Sequence, residues 1–301
     1  MYRTMSEPLV LITGATGFIG SHAVLSALEA GYRVRLAVRK LEQKQAVEER
    51  YSKFASKIET VVVPDITKSS SFEDSLNGVD HVFHLASPMP GKGSDFQADY
   101  VSPAVGGTEA ILYAALNFPQ IKKVIVMSSV LALLPPTASA SADVSVTDFL
   151  KHFQPHYTLI TFHPTFVLGD SLIQKNATEI DGINATFWSS LFLEKPALRN
   201  AWVHVRDVAM AHVKALSVSI ETGTEFLLSA PPVNWKKAAD FIKRTYPELG
   251  CKLQPPIQSG WEVDTSSADQ VLGITWISME KTIKDVVDQQ LAFKERQRHA
   301  L

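Results

Sequence analysis

"LVLITGATGFIGSHAVLSAL", residues 9–28, decides the fold. A short apolar run enters three glycines spaced G-x-x-G-x-x-G (Gly14, Gly17, Gly20), and a helical pattern follows at once. The reading is a buried β-strand, a tight turn and the start of a helix. A glycine triplet is a weak signal alone and becomes specific in this strand-to-helix context. Glycine permits the turn and lets the backbone approach an anion with no Cβ in the way. The helix start presents unpaired N–H groups and a partial positive charge. The stretch therefore predicts a pyrophosphate cradle, with Thr16, Phe18 and Ile19 offering backbone N–H groups or packing beneath the loop.

Outward from the cradle, β-branched runs alternate with helical stretches. "RVRLAVR" (33–39), "IETVVVPD" (58–65), "DHVFHLAS" (80–87), "KKVIVMSS" (122–129) and "TLITFHPT" (158–165) read as further strands. Helices are predicted over 42–55, 70–79 and 101–118. This alternation implies an α/β fold, a Rossmann-type doubly wound parallel sheet with right-handed crossovers. After Pro164 the pattern loosens into helical pieces over 208–216, 235–246 and 277–293, divided by Pro- and Gly-bearing loops. The predicted organisation is a dinucleotide-binding domain over 1–165, with 201–216 returning to it. A smaller, mixed substrate-binding region takes 166–301. Phe187, Trp188, Phe192 and Trp202 read as core aromatics, with one or two available to face an apolar substrate.

The second strand selects the dinucleotide. An NAD site places a carboxylate at its end to hold the ribose hydroxyls. Here the chain has Arg39 and Lys40, with Lys44 nearby. A guanidinium binds a 2′-phosphate through charge-assisted hydrogen bonds, whereas a carboxylate repels it. The predicted cofactor is NADP (NADPH). Asp65 and Ile66 follow the third strand, where an adenine would lie; Asp65 either accepts from the adenine amino group or caps the next turn.

Composition excludes several classes. The 301 residues are 46% hydrophobic and 20% charged, with a formal net charge of −2. That balance gives no basic footprint for nucleic acid. Cys251 is the single cysteine, so no intrachain disulfide forms, as suits a reducing compartment. No signal-peptide pattern opens the chain and no apolar run spans a bilayer. The expectation is a cytoplasmic protein without membrane or nucleic-acid partners. No metal-ligand set is read: His81 and His84, three apart on a strand, point to opposite faces, and Pro155 interrupts any helix joining His152 to His156.

"TGATGFIG" (13–20), "VR" (38–39), "HVFHLASP" (81–88), "PAVGGTEAIL" (103–112), "VIVMSS" (124–129), "HPTFVLG" (163–169), "WVHVRDVAMAHVKAL" (202–216) and "LGITWISMEKTIKDVVDQ" (272–289) together resemble the extended short-chain dehydrogenase/reductases of the NAD(P)-dependent epimerase/dehydratase family. The branch most similar holds dihydroflavonol reductase, cinnamoyl-CoA reductase and the fungal aldehyde/ketone reductases. The resemblance covers essentially the whole chain. It implies NADPH-dependent reduction of a small carbonyl compound, in secondary metabolism, by a monomer or homodimer. It places His84, Leu85, Ala86, Ser87 and Pro88 along the ribose and nicotinamide side of the cofactor. It puts Pro164 and Val167 at the nicotinamide pocket and makes Asp207 the cap of a helix.

The family's chemistry uses a Ser to hold the carbonyl, a Tyr to give the proton, and a Lys four residues later. The lysine favours the charged phenol, which otherwise titrates near pKa ~10, and the spacing puts both groups on one helix face. Ser129 matches the serine. The Tyr-x-x-x-Lys is missing: four residues beyond Tyr2, Tyr32, Tyr51, Tyr100, Tyr113, Tyr157 and Tyr246 stand Ser6, Leu36, Ala55, Ala104, Asn117, Thr161 and Gly250. In "VMSSVLALLPPTASASADVSV" (126–146), Pro135 and Ser139 fall where Tyr and Lys belong. Against usual family lengths, roughly thirty residues are missing there. His163, at the end of the sixth strand, is the candidate substitute acid, since a histidine titrates near neutrality. The alternative function is non-redox: a cofactor-binding pseudoenzyme or sensor, or a catalyst of rearrangement, dehydration or cyclisation on the same scaffold.

Overall fold

The computed structural model describes residues 7–87, 94–95, 97–133, 142–257 and 262–299. Pro88, Pro135 and Ser139 lie outside them. The chain forms two compact units. One takes the chain up to His163 and then Ala209–Phe226; the other takes Pro164–Val208 and Leu227–Leu301.

The first unit is built on a seven-stranded sheet. Its strands are β1 (Leu9–Thr13), β2 (Arg33–Val38), β3 (Ile58–Val62), β4 (His81–His84), β5 (Lys123–Met127), β6 (Thr158–Pro164) and β9 (Thr224–Leu228), in the order β3-β2-β1-β4-β5-β6-β9. Every pairing from β3 across to β6 is parallel. β1 is buried along its whole length, as its unbroken apolar run requires with helices covering both faces. α1 (Phe18–Glu29) follows β1, and α2 (Glu42–Arg50) follows β2. α3 (Ser102–Ala115) leads to β5, and α4 (Ala142–His152) leads to β6. One apolar cluster packs Phe72, Leu76, Val82, Ile111, Val124, Phe149 and Leu159. The strand order reverses beside β1, where doubly wound sheets bind ligands.

The sequence pattern missed β9. This edge strand is short and carries the exposed Glu225, so its apolar run is weak. The helix expected over 70–79 is only a 3-10 turn at Ser69–Phe72, and Gly78 takes φ +71° soon after, closing off any longer helix.

The second unit begins with β7 (Phe166–Leu168) and α5 (Gly182–Ser190). β8 (Trp202–His204) pairs in parallel with β7. That pairing keeps residues 201–208 in this unit, so the returning segment is Ala209–Phe226 rather than 201–216. α6 (Val205–Ser217) runs from one unit into the other. α7 (Trp235–Thr245), α8 (Ser266–Leu272) and α9 (Met279–His299) complete the fold. Phe187, Trp202 and Trp235 form its core, with Trp202 edge-on to both other rings at centroid distances of 5.4 and 4.8 Å. Trp188 and Phe192 pack partly buried against that core. Asp207 is no cap: it sits in the first turn of α6, where its carboxylate accepts from the backbone N–H of Ile277 at 2.9 Å.

Candidate functional site

The tight turn between β1 and α1 forms where the glycine spacing predicts it. Gly14 turns at φ +73°, and a Cβ there would lie 2.8 Å from the backbone of Leu85 and Ala86. A Cβ on Gly20 would lie 2.0 Å from the Gly14 carbonyl oxygen. Both glycines are thus required by the protein's own packing. Gly17 differs. Its φ of −87° suits any residue, and its added Cβ would touch only the Gly14 oxygen at 3.3 Å. Among the described residues that tight contact is the one a side chain at 17 would meet, so the packing demands glycine there less strongly than at 14 and 20. Gly17 is the N-cap of α1 and, as a glycine, brings no capping side chain; the first turn holds no carboxylate. Thr16, Gly17, Phe18 and Ile19 are all partly exposed. This arrangement suits an anion, and the residues present fit a dinucleotide pyrophosphate.

Thr13, which the sequence reading passed over, ties the cradle to the β4 loop. Its hydroxyl oxygen accepts from the N–H groups of Leu85 and Ala86, both at 3.1 Å. Its proton faces His84 Nδ1 at 3.0 Å. The hydroxyl donates there, so Nδ1 accepts and the ring is neutral. Burial pushes His84 down to about 4, consistent with an uncharged ring. Ser87 is exposed at the end of this loop.

At the end of β2, Arg39 and Lys40 are exposed, and no carboxylate among the described residues pairs with either. Lys44 lies 3.8 Å from Glu48. Asp65 takes the turn-capping alternative: its Oδ1 accepts from Thr67 N at 3.0 Å and Thr67 Oγ1 at 2.6 Å, and its other oxygen pairs with Lys68 at 3.2 Å. Those Thr67 bonds hold its carboxyl below the usual range. Ile66 lies against the start of α3, where a Cβ on Gly107 would meet its side chain at 3.2 Å.

Ser129 stands just beyond β5, partly exposed. Its Oγ accepts from Leu131 N at 3.2 Å, which leaves the hydroxyl proton to be donated elsewhere. His163 is fully buried in β6, with Nδ1 3.3 Å from the backbone oxygen of Ser129 and Nε2 3.5 Å from Glu225. The ring thus meets the serine's main chain rather than its hydroxyl. Three phenols are committed elsewhere: Tyr51 to Ser21 O at 2.8 Å, Tyr157 to Leu112 O at 2.8 Å, and Tyr246 to Asp288 at 2.6 Å. Burial raises the pKa of each, the reverse of what a proton-donating phenol needs.

In the second unit, Pro164 closes β6 and Val167 lies buried in β7. This unit also holds a cluster that sequence spacing did not reveal. Asp170, His204 and Asp285 bring ligand-type atoms within 4.8 Å of one another. Arg206 reaches Asp170 at 2.6 Å and Asp285 at 3.7 Å, and Lys281 pairs with Asp285. His204 Nδ1 accepts from Arg206 N at 3.1 Å, so its Nε2–H donates to Asp285, also at 3.1 Å. Burial works against the charge on Asp285, yet bonds from His204 and Lys281 prevail and hold its carboxyl at about 2. The two carboxylates are already matched by two cations, and the network ties α9 to β8.

No helix among the described residues is long and apolar enough to cross a membrane.

Comparison with known proteins converges on one family. The profile of the NAD-dependent epimerase/dehydratase family matches residues 10–155. Ketoreductase sphI of Aspergillus fumigatus is 36% identical, with 96% of this chain and 99% of that protein covered. The alignment spans 335 positions against the 301 residues of this chain, so more than thirty positions have no counterpart here. With both chains covered nearly end to end, those gaps are internal. A putative NADPH-dependent methylglyoxal reductase of Candida albicans is 27% identical over 94% of this chain and 98% of its own. Among solved structures, the yeast methylglyoxal/isovaleraldehyde reductase Gre2 complexed with NADPH superimposes with a TM-score of 0.83 at 21% identity, covering 96% of this chain and 99% of that one. That likeness carries the fold, and the sequence relatives carry the family. The chain belongs to the NAD-dependent epimerase/dehydratase family, within the extended short-chain dehydrogenase/reductases.

Proposed function

We propose that the chain binds NADPH and reduces a small carbonyl compound, with its proton-delivering machinery incomplete. The strand–turn–helix at residues 9–29 is the observation that carries the cofactor half: Gly14 and Gly20 pack too tightly for a Cβ, and the partly exposed start of α1 holds no carboxylate in its first turn. The names of the relatives, a ketoreductase and an NADPH-dependent reductase, support the same reading. The backbone N–H groups at the start of α1 hold the pyrophosphate, and Arg39, Lys40 and Lys44 surround the 2′-phosphate. Asp65, Ile66 and residues 84–87 line the adenosine and ribose side. The first unit serves the cofactor and the second the substrate, with Pro164 and Val167 assigned from the family pattern.

When bound, NADPH supplies a hydride to the carbonyl carbon. Ser129 donates its hydroxyl hydrogen bond to the carbonyl oxygen. The proton that completes the alcohol comes from water in place of the missing phenol. His163 acts as a brace on the Ser129 main chain instead of as the acid. Losing a general acid costs about 10²–10⁴ in rate. The same loss favours a second reading, a non-redox NADP-binding protein on this scaffold. The protein works as a monomer or homodimer in the cytoplasm, on a substrate of the secondary-metabolite type.

Fluorescence titration tests the cofactor half. NADPH is expected to bind at micromolar concentration, and NADH roughly tenfold or more weakly, because it lacks the charge-assisted 2′-phosphate bonds. No NADPH binding in that range overturns the proposal.

A further inference from the structure

The two cations at the end of β2 are exposed, and long exposed side chains do not hold a geometry by themselves. Their backbone does hold one. Gln43 Oε1 accepts from the N–H of Arg39 and from the N–H of Lys40, both at 3.0 Å. The main chain closes the same turn, with Gln43 N donating to Lys40 O at 3.1 Å and Lys44 N to Leu41 O at 3.0 Å. Gln43 is half-buried, between the exposed Lys40 and Lys44. A glutamine reaching back from the first turn to the residues before it is half of a capping box. Here the capped residues are the two that carry the cations.

We infer that Gln43 is a positioning residue for cofactor choice: by fixing the Arg39–Lys40 backbone it sets the pair to receive a 2′-phosphate, and so discriminates NADPH from NADH. The inference rests on the NADPH reading above. It assigns discrimination to an uncharged side chain that need not touch the phosphate. A bidentate guanidinium–phosphate contact depends on direction, so a loosened anchor weakens it. The ribose 2′-hydroxyl of NADH makes no such demand.

Two variants read this out by fluorescence titration with NADPH and NADH. Gln43→Leu removes the acceptor from both N–H groups. It is expected to weaken NADPH roughly 3- to 10-fold, the range of one ordinary hydrogen-bond contribution, and to leave NADH within about twofold. Gln43→Glu keeps an oxygen for both N–H groups but adds a charge that pairs with the cations. It is expected to weaken NADPH about tenfold, with the loss shrinking as salt is raised, and again to spare NADH. If Gln43→Leu proves insoluble, Gln43→Met, of similar length and without the acceptor, takes its place with the same expected selective loss, while Gln43→Glu, which keeps the backbone bonds, reads the effect of charge alone. Parallel loss of both cofactors overturns the inference, since a purely structural cap lowers both. Unchanged NADPH affinity in the variant that lacks the acceptor overturns it too, whatever Gln43→Glu does. If the unaltered protein does not prefer NADPH, the fault lies with the assignment of Arg39 and Lys40, and the role of Gln43 falls with it.

Discussion

Replacing Gly20 by alanine is expected to weaken NADPH binding roughly 100-fold, the upper end of the cost of forcing extra atoms into a packed site. The added Cβ would stand 2.0 Å from Gly14 O and 2.7 Å from Gly14 C. Those atoms cannot retreat easily, because Gly14 is itself wedged against Leu85 and Ala86. Those two residues are in turn held by Thr13. Relief requires α1 to move away from the turn, which withdraws the N–H groups from the pyrophosphate. Gly17→Ala separates binding from folding. Its Cβ meets only the Gly14 oxygen, at 3.3 Å, so denaturant stability should stay within about 1 kcal/mol while NADPH affinity falls. Titration and urea unfolding of both variants check the pair. A Gly20→Ala protein that binds NADPH like the parent would show that the cradle is not the cofactor site.

Stability is expected to fall steeply as the pH drops from about 6.5 to about 4. Burial pushes both His81 and His84 down to about 4 in the folded protein. In the unfolded chain each titrates near 6.5. Between those values the unfolded state binds more protons, so the stabilisation is complete above about 6.5 and is gone below about 4. A difference of this size corresponds to about 3 kcal/mol per histidine. Asp80 beside His81 offsets part of the effect of burial, whereas Lys122 and Lys123 add to it. Asp207, raised by burial, acts in the opposite sense and returns some stability as the pH falls. Urea midpoints measured at several pH values across the window check this. His84→Asn keeps an acceptor for Thr13 without a titrating ring, and should flatten the dependence by about half. An unchanged slope in that variant would remove His84 from the account.

Much of the first unit was legible because its signals are local. The strand, glycines and helix of residues 9–28 are contiguous, and each strand of the parallel sheet is a short apolar run. What escaped has distant causes. Thr13 reads as the last residue of a strand, and its bonds to His84, Leu85 and Ala86 span some seventy positions. Asp207 looks like a helix cap until Ile277 arrives from 70 residues on. His204 and Asp285 are 81 apart, and no spacing rule joins them. β9 lacks a continuous apolar run because it lies at the sheet edge. The absence of Tyr-x-x-x-Lys was legible because it needs only a count along the chain. The alignment with the Aspergillus fumigatus ketoreductase leaves more than thirty positions without a counterpart in this chain. The residues standing where the pair belongs, Pro135 and Ser139, lie outside the described part of the structure.

In the proposed function the cofactor site is kept and the proton donor is lost. The steady-state rate of NADPH oxidation by the unaltered protein, at saturating NADPH and over a panel of small aldehydes and ketones, decides it. Typical enzymes turn over at about 10 s⁻¹, and removal of the general acid brings that to roughly 0.1–0.001 s⁻¹. A rate in that lower range, together with micromolar NADPH binding, is the expected result. Turnover near 10 s⁻¹ on any member of the panel would contradict it, and would mean that another group in this chain delivers the proton.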